Sequence, residues 1–258
     1  MELRNGGKMR IKLIVAYDGT GYHGWQIQNN ALSLEEVLTG ALRELLGEEI
    51  ELAGASRTDA GVHALGNVAV FDTNTRIPPE KIAVAVNQRL PEDIRVMCSE
   101  EVSPEFHPRY EVSRKTYEYS ITNARIQLPT KRLYSYFVYI PLNVERMRKT
   151  AEYFLGEHDF AGFCSSGSQV KTTVRSIYEL QVLQQGEDIR IRVTGNGFLY
   201  NMVRIIAGTL IEVGMGRREP ETVRRAIEEA DRKLAGPTAP PQGLTLVNID
   251  YEESLSEN

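Results

Sequence analysis

Residues Ile11 to Tyr17 carry the apolar-rich pattern of a strand, and the stretch after them changes period. Ser33-Leu34-Glu35-Glu36 is a capping box, and Leu34, Leu38, Leu42 and Leu45 fall on one face of the helix it opens. Gly47 stops that helix. Glu49 to Leu52 reads as a short strand and Val68 to Phe71 as another. Pro78 to Leu90 reads as a helix with its prolines at the start, and Ile94 to Val102 as a strand. The first half therefore runs β-α-β-β-α-β.

The second half repeats the order without repeating the sequence. It predicts a strand over Lys115 to Thr122, a helix over Val144 to Leu155 and strands over Ser176 to Leu183 and Ile189 to Val193. A helix over Phe198 to Val213 and a strand over Leu244 to Tyr251 complete it, with an extra helix over Glu219 to Glu229 before the Pro/Gly-rich link Gly236 to Gly243. This predicts an α+β protein of two tandem ferredoxin-like (βαββαβ) halves, largely antiparallel, with a cleft between them where a substrate would bind. The halves are expected at 9–105 and 106–251, joined near Ser103 to Tyr110, with tails at 1–8 and 252–258.

Composition narrows the class. At 258 residues, 41% hydrophobic and 25% charged, the chain is ordinary globular protein rather than fibrous or disordered. Its two cysteines form no CxxC pair and no disulfide framework, which favours a reducing compartment, the cytoplasm. No run of 18 apolar residues exists, so no membrane association is expected. The net charge of −5 speaks against a phosphate-rich partner, but it is unevenly spread. Between His107 and Lys149 nine Lys or Arg stand against Glu111, Glu118 and Glu145, a local +6. The same stretch holds Tyr110, Tyr117, Tyr119, Tyr134, Tyr136, Tyr139 and Phe137. Basic groups interleaved with aromatic faces suit RNA or single-stranded nucleic acid, and a half-exposed sheet with a basic polar face would read the same way.

The densest polar cluster is Ala55-Ser56-Arg57-Thr58-Asp59-Ala60-Gly61-Val62-His63-Ala64, a loop between two short strands. As a turn it would be unremarkable. Far along the chain, however, Arg204 stands in an otherwise apolar helical stretch with no Asp or Glu one turn away. A buried guanidinium needs a carboxylate or a polar cleft, and the Asp59 loop could supply the carboxylate. Such a pairing would favour the ionised Asp59, the state a nucleophile requires. The glycine-rich run Tyr17 to Gln26 lacks both the GK[ST] ending of a P-loop and the GxGxxG of a dinucleotide site, so no nucleotide cofactor is expected. The four scattered histidines show no metal-ligand spacing, and no GxSxG or Cys-His signature suggests acyl-enzyme chemistry. An enzyme built this way works with carboxylate, phenol and guanidinium groups.

Taken together, Tyr17-Asp18-Gly19-Thr20-Gly21-Tyr22-His23-Gly24-Trp25-Gln26, Arg57-Thr58-Asp59-Ala60-Gly61-Val62-His63-Ala64, Phe106-His107-Pro108-Arg109, Lys115-Thr116-Tyr117-Glu118-Tyr119, His158-Asp159-Phe160 and Gly197-Phe198-Leu199-Tyr200-Asn201-Met202-Val203-Arg204 resemble the TruA family of tRNA pseudouridine synthases. Their order and spacing match from about Met9 to Tyr251. The resemblance implies isomerisation of uridine to pseudouridine at positions 38 to 40 of the tRNA anticodon stem-loop, by a homodimer, without cofactor or metal. It implies Asp59 as nucleophile, Tyr117 as the active-site tyrosine against the uracil, Arg204 as partner of the aspartate and Arg57 as a residue that displaces the target base. Lys115, Arg109 and His63, in the same motifs, are expected to contact substrate. Two departures stand out: Ser33-Leu34-Glu35 where the family usually has Gln, and the extra Met1 to Lys8 before the family-like start at Met9.

The chemistry accounts for these residue types. The N1 glycosidic bond must break, the uracil turn in place and a C5 to C1′ bond form, so a carboxylate that attacks and later leaves is useful. A base inside a stem must first be flipped out and caught on an aromatic face. Attack at C1′, attack at C6 and proton abstraction to a glycal all fit an aspartate. The alternatives from other classes are a non-catalytic RRM-like RNA-binding module, although no RNP1 pattern is present, and a glycosylase that releases the base.

Overall fold

The computed structural model describes residues 8–167 and 170–251. They form two compact units, residues 8–112 with Tyr251, and residues 113–250. The extension Met1 to Lys8 lies outside the described residues except for its last member.

The first unit contains β1 (Met9–Tyr17), α1 (Leu34–Leu46), β2 (Ala53–Gly54), β3 (His63–Thr73), α2 (Pro79–Val86) and β4 (Ile94–Val102). Its sheet runs β4-β1-β3 with β2 on the outer side of β3, all antiparallel, which is the ferredoxin-like order. The α1 boundaries follow the sequence signals: Ser33 accepts the Glu36 N–H, and Gly47 closes the helix with φ of 65°. Leu34, Leu38 and Leu42 of α1 are buried, as are Ile11, Leu13 and Val15 of β1. Each such side chain contributes about 1.5–3 kcal/mol relative to exposure.

The second unit contains β5 (Ser113–Asn123), β6 (Tyr136–Val138), α3 (Val144–Ala151), β7 (Gly156–Asp159), β8 (Val174–Gln185), β9 (Asp188–Gly195), α4 (Met202–Gly214), α5 (Pro220–Glu228) and β10 (Leu244–Tyr251). Its order is β10-β5-β9-β8-β7, so the four principal strands repeat the arrangement of the first unit. β6 pairs with β5 in parallel, and the other registered pairs are antiparallel. The mixed α+β class expected from the sequence is therefore observed.

Several boundaries move for identifiable reasons. Residues 49–52 are not a strand, because the Arg43 side chain takes the Ile50 carbonyl (3.2 Å) and β pairing starts at Ala53. α2 ends at Val86 rather than Leu90: Asn87 turns its amide to the backbone of Val96, donating to its carbonyl and accepting its N–H, both at 2.8 Å. The strand expected over Val68 to Phe71 begins at His63 and ends at Thr73. α3 ends at Ala151 and tightens into a 3₁₀ turn over Glu152–Phe154. The short strands β6 and β7 carry too little pattern to be read from sequence.

Candidate active site

Asp59 lies in the loop between β2 and β3, half-buried, with the exposed Arg57 two residues before it. The backbone beneath it is tied down from several sides. The fully buried Asn67 donates from its amide nitrogen to the Ser56 carbonyl (3.1 Å) and to the Tyr17 hydroxyl (3.3 Å), and its oxygen accepts the Val68 N–H. The Tyr17 hydroxyl in turn lies 2.7 Å from the Thr58 hydroxyl, both residues buried. The Thr58 carbonyl accepts the Trp25 N–H (3.0 Å), and the Asp59 carbonyl accepts the Val62 N–H (3.1 Å), closing a turn in which Gly61 has φ of 77°.

Asn67 faces inward by the ordinary alternation of β3, on the side of Phe71 and Ala69 and opposite the buried Val15. Between β1 and β3 the register slips, Val15 opposing Asn67 but Tyr17 opposing Ala64, so β3 carries one extra residue there. A bulge re-aims side chains locally. Here it lies between Ala64 and Asn67, next to the Asn67–Tyr17 hydrogen bond.

Gly24 packs directly against the loop backbone. A Cβ there would lie 2.5 Å from the Thr58 carbonyl oxygen, and its φ of 89° is costly for any other residue. The glycine-rich run Tyr17 to Gln26 thus serves close backbone approach to the Asp59 loop. Glu35, where the sequence departs from the resembled pattern, is nearly buried and accepts the Ile27 N–H (3.0 Å), fixing the end of that run.

The other expected contact residues of this unit are placed differently from one another. His63 is buried; its Nδ1 accepts the Gly19 N–H (3.1 Å) and lies 3.2 Å from an Asp18 carboxylate oxygen, so it ties the start of β3 to the Asp18–Gly21 turn. Arg109 is exposed, and its Nε donates to the Gly54 carbonyl (2.7 Å) at the foot of the Asp59 loop.

In the second unit Tyr117 points from β5 to the buried side, opposite Val193, with its ring edge-on to Phe198 at 5.3 Å. Gly195 makes room for that phenylalanine, since a Cβ there would meet the Phe198 ring at 3.3 Å and the Ser176 carbonyl oxygen at 2.7 Å. Lys115, half-exposed, opposes Gly195 on the same strand pair.

Arg204 requires a correction. The sequence places it in the middle of a helix from Phe198, whereas α4 begins at Met202 and Arg204 is its third residue. The reason is Asn201, which adopts a left-handed φ of 60° that asparagine tolerates better than most residues. Its side chain does not cap the backbone; the oxygen accepts Arg204 Nη1 (2.7 Å) and the nitrogen donates to the Ser165 hydroxyl (2.9 Å). Arg204 Nε donates to the Ala239 carbonyl (2.8 Å), and the Ala239 N–H donates back to the Arg204 carbonyl. Neutral oxygens of its own unit therefore already solvate part of the guanidinium, while its helix neighbours Met202, Val203, Ile205 and Ile206 are buried as the sequence suggests. Burial raises the hydroxyl pKa of Tyr119, which donates to the Pro240 carbonyl, while the charge of Arg204 opposes that rise. Sequence reading missed Asn201; an Asn immediately before a helical run was the available signal.

The basic and aromatic segment is also less open than its composition implies. Tyr117 and Tyr119 are core residues, while Tyr110, Tyr134 and Tyr139 are exposed. Lys131 pairs with Asp188 (2.7 Å) and Arg146 with Glu219 (2.6 Å), whereas Arg114 stands over the Tyr178 ring at 5.0 Å.

The chain belongs to the tRNA pseudouridine synthase family, whose profile matches residues 13–111 and 150–252. Its relatives include proteins named tRNA pseudouridine synthase A from Thermoanaerobacter sp. (strain X514), 49% identical, and from Ruminiclostridium cellulolyticum, 51% identical. The matches cover 93% and 94% of this chain and 99% of each relative. Among solved structures, an archaeal box H/ACA sRNP Nop10-Cbf5 complex matches at 14% identity and a TM-score of 0.35, over 87% of this chain and 60% of that one.

Proposed function

We propose that the chain converts uridine to pseudouridine at positions 38 to 40 of the tRNA anticodon stem-loop, with Asp59 as nucleophile and no cofactor. The enzyme class comes from the family: the protein is an isomerase that makes pseudouridine in tRNA. That assignment sets aside the non-catalytic RNA-binding module.

The observation that carries the choice of Asp59 is the brace beneath it. Tyr17, Asn67 and Gly24 hold the Ser56–Asp59 backbone from below while the Asp59 side chain stays half-exposed. A carboxylate fixed in this way reacts without first reorganising its loop. In the proposed sequence Arg57 displaces the target uridine from its stem, and the uracil is caught against Tyr117. Asp59 then attacks, the N1 to C1′ bond breaks, and the uracil turns while held. C5 bonds to C1′, Asp59 leaves unchanged, and the proton lost from C5 is balanced by one taken up at N1, so the product is an isomer of the substrate. Arg204 is assigned to keep Asp59 ionised, and Lys115, Arg109 and His63 to the wider substrate-contacting region. The homodimer and the cytoplasmic location belong to the same proposal. Among the described residues no helix is long and apolar enough to cross a membrane.

The test is incubation with unmodified tRNA, followed by nucleoside analysis and mapping of the modified positions. Pseudouridine at 38 to 40 with no free uracil is the expected result. Free uracil would mean a glycosylase, and pseudouridine confined to other positions would overturn the anticodon stem-loop assignment.

A further inference from the structure

Among the described residues Tyr110 is the most exposed of the large apolar and aromatic side chains, at 82%. Its ring is nevertheless held in place, stacked on His107 with centroids 4.2 Å apart and planes 24° from parallel. The turn that carries both rings is pinned within the first unit. The Tyr110 and Glu111 N–H groups donate to the His107 carbonyl, and the Arg109 N–H donates to His107 Nδ1 (3.2 Å). Further out, the Tyr251 hydroxyl donates to the Pro108 carbonyl (2.9 Å), and Arg10 donates to the Phe106 carbonyl (3.1 Å).

An aromatic ring backed by a second ring on one face and open to solvent on the other is a pre-ordered stacking surface. Its immediate neighbour Arg109 is exposed, and Arg109 Nε is anchored on the Gly54 carbonyl, which begins the loop leading to Asp59. An open aromatic face beside a guanidinium is the pairing that single-stranded or splayed RNA recognises, the ring taking a base and the cation a phosphate. A dry protein interface would favour an aromatic set in a pocket with charge depleted around it.

We propose that the outer face of Tyr110 stacks an unpaired base of the RNA substrate, with His107 as its backing ring and Arg109 taking an adjacent phosphate. The proposal rests on tRNA being the substrate. It adds a contact distinct from the flipped uridine, and so a determinant of affinity rather than of the chemical step.

The test exploits Trp25, the single tryptophan of the chain, which is fully buried. Tyr110→Trp introduces one exposed indole, whose emission should fall when unmodified tRNA is added, with affinity close to wild type. Tyr110→Ala should raise the tRNA Kd about tenfold, within the range for loss of one base-aromatic stack, while leaving the salt dependence of binding and the saturated rate unchanged. Arg109→Gln should instead reduce the salt slope by about one. Wild-type protein that neither binds nor modifies tRNA would defeat the substrate assignment itself. If the wild type binds tRNA, three results overturn the stacking proposal: Tyr110→Ala with unaltered Kd, an indole at 110 whose emission does not respond when the complex forms, or an oligomeric state changed by Tyr110→Ala with RNA affinity intact.

Discussion

The Tyr17 hydroxyl lies 2.7 Å from the Thr58 hydroxyl inside the protein, joining β1 to the residue that precedes Asp59. Asn67 completes the contact from β3 by donating to the same phenol oxygen. Tyr17→Phe leaves the ring and the Asn67 bond to Ser56 but removes the link to Thr58. Leaving a buried hydroxyl unpartnered costs about 1–3 kcal/mol. We expect a lowered Tm and a single-turnover rate reduced about tenfold at saturating tRNA, with tRNA Kd unchanged. A variant that melts earlier but turns over at the wild-type rate would make the Tyr17–Thr58 contact structural only.

Gly24 and Gly21 offer a matched pair. Alanine at 24 would press on the Thr58 carbonyl oxygen at 2.5 Å from a backbone with φ of 89°, whereas a Cβ at Gly21 meets nothing within 4 Å. Gly24→Ala should therefore destabilise the fold by more than about 1 kcal/mol and suppress turnover, and Gly21→Ala should do neither. Urea unfolding and single-turnover assays on the two variants check this.

Asp59→Asn keeps the shape of the side chain and removes its charge and nucleophilicity. Pseudouridine formation should drop below detection while tRNA affinity stays within a few-fold of wild type. Residual activity of more than a few per cent would take Asp59 out of the nucleophile role.

Arg204→Met removes the charge while Asn201 and Ala239 keep their places. If Arg204 holds Asp59 ionised, the acidic limb of the single-turnover pH profile should move to higher pH and the rate should fall, with the choice among target uridines unaltered. Arg204→Lys should recover only part of the rate, because one ammonium cannot replace the fork that reaches Asn201 and Ala239. An unmoved acidic limb together with altered target choice would make Arg204 an RNA contact instead.

Arg10 and Asp72 face each other across β1 and β3 through two bonds of 2.8 Å. The bonds from Arg10 hold the Asp72 carboxyl below its ordinary pKa. A carboxylate whose folded pKa is depressed stabilises the protein above its unfolded pKa, near 3.9, and loses that contribution as pH falls through the folded value. Both side chains are partly exposed, so the contribution is at most about 1 kcal/mol. Asp72→Asn should thus cost up to that amount in urea unfolding at pH 7, and the gap from wild type should close near pH 2. A gap of equal size at both pH values would show that the loss is not electrostatic.

The sequence by itself determined the order of the main elements, the α1 caps at Ser33 and Gly47, and the motifs that mark the family, because these signals are local: periods, caps and short runs. It also singled out Asp59 and Arg204, whereas Tyr117 stood out from the other aromatics only through the family resemblance. What only the tertiary structure decided depends on partners distant in the chain. Asn67 reads as an ordinary strand residue until its amide is found on the Ser56 carbonyl and the Tyr17 hydroxyl. Asn87 ends α2 early because the backbone of Val96 is beside it, and residues 49–52 lose strand pairing because Arg43 takes the Ile50 carbonyl. Arg204 looked like an isolated buried charge because a sequence shows which residues are apolar but not where backbone oxygens converge. The left-handed Asn201 and the Ala239 carbonyl supply those oxygens, from three residues before Arg204 and thirty-five after it.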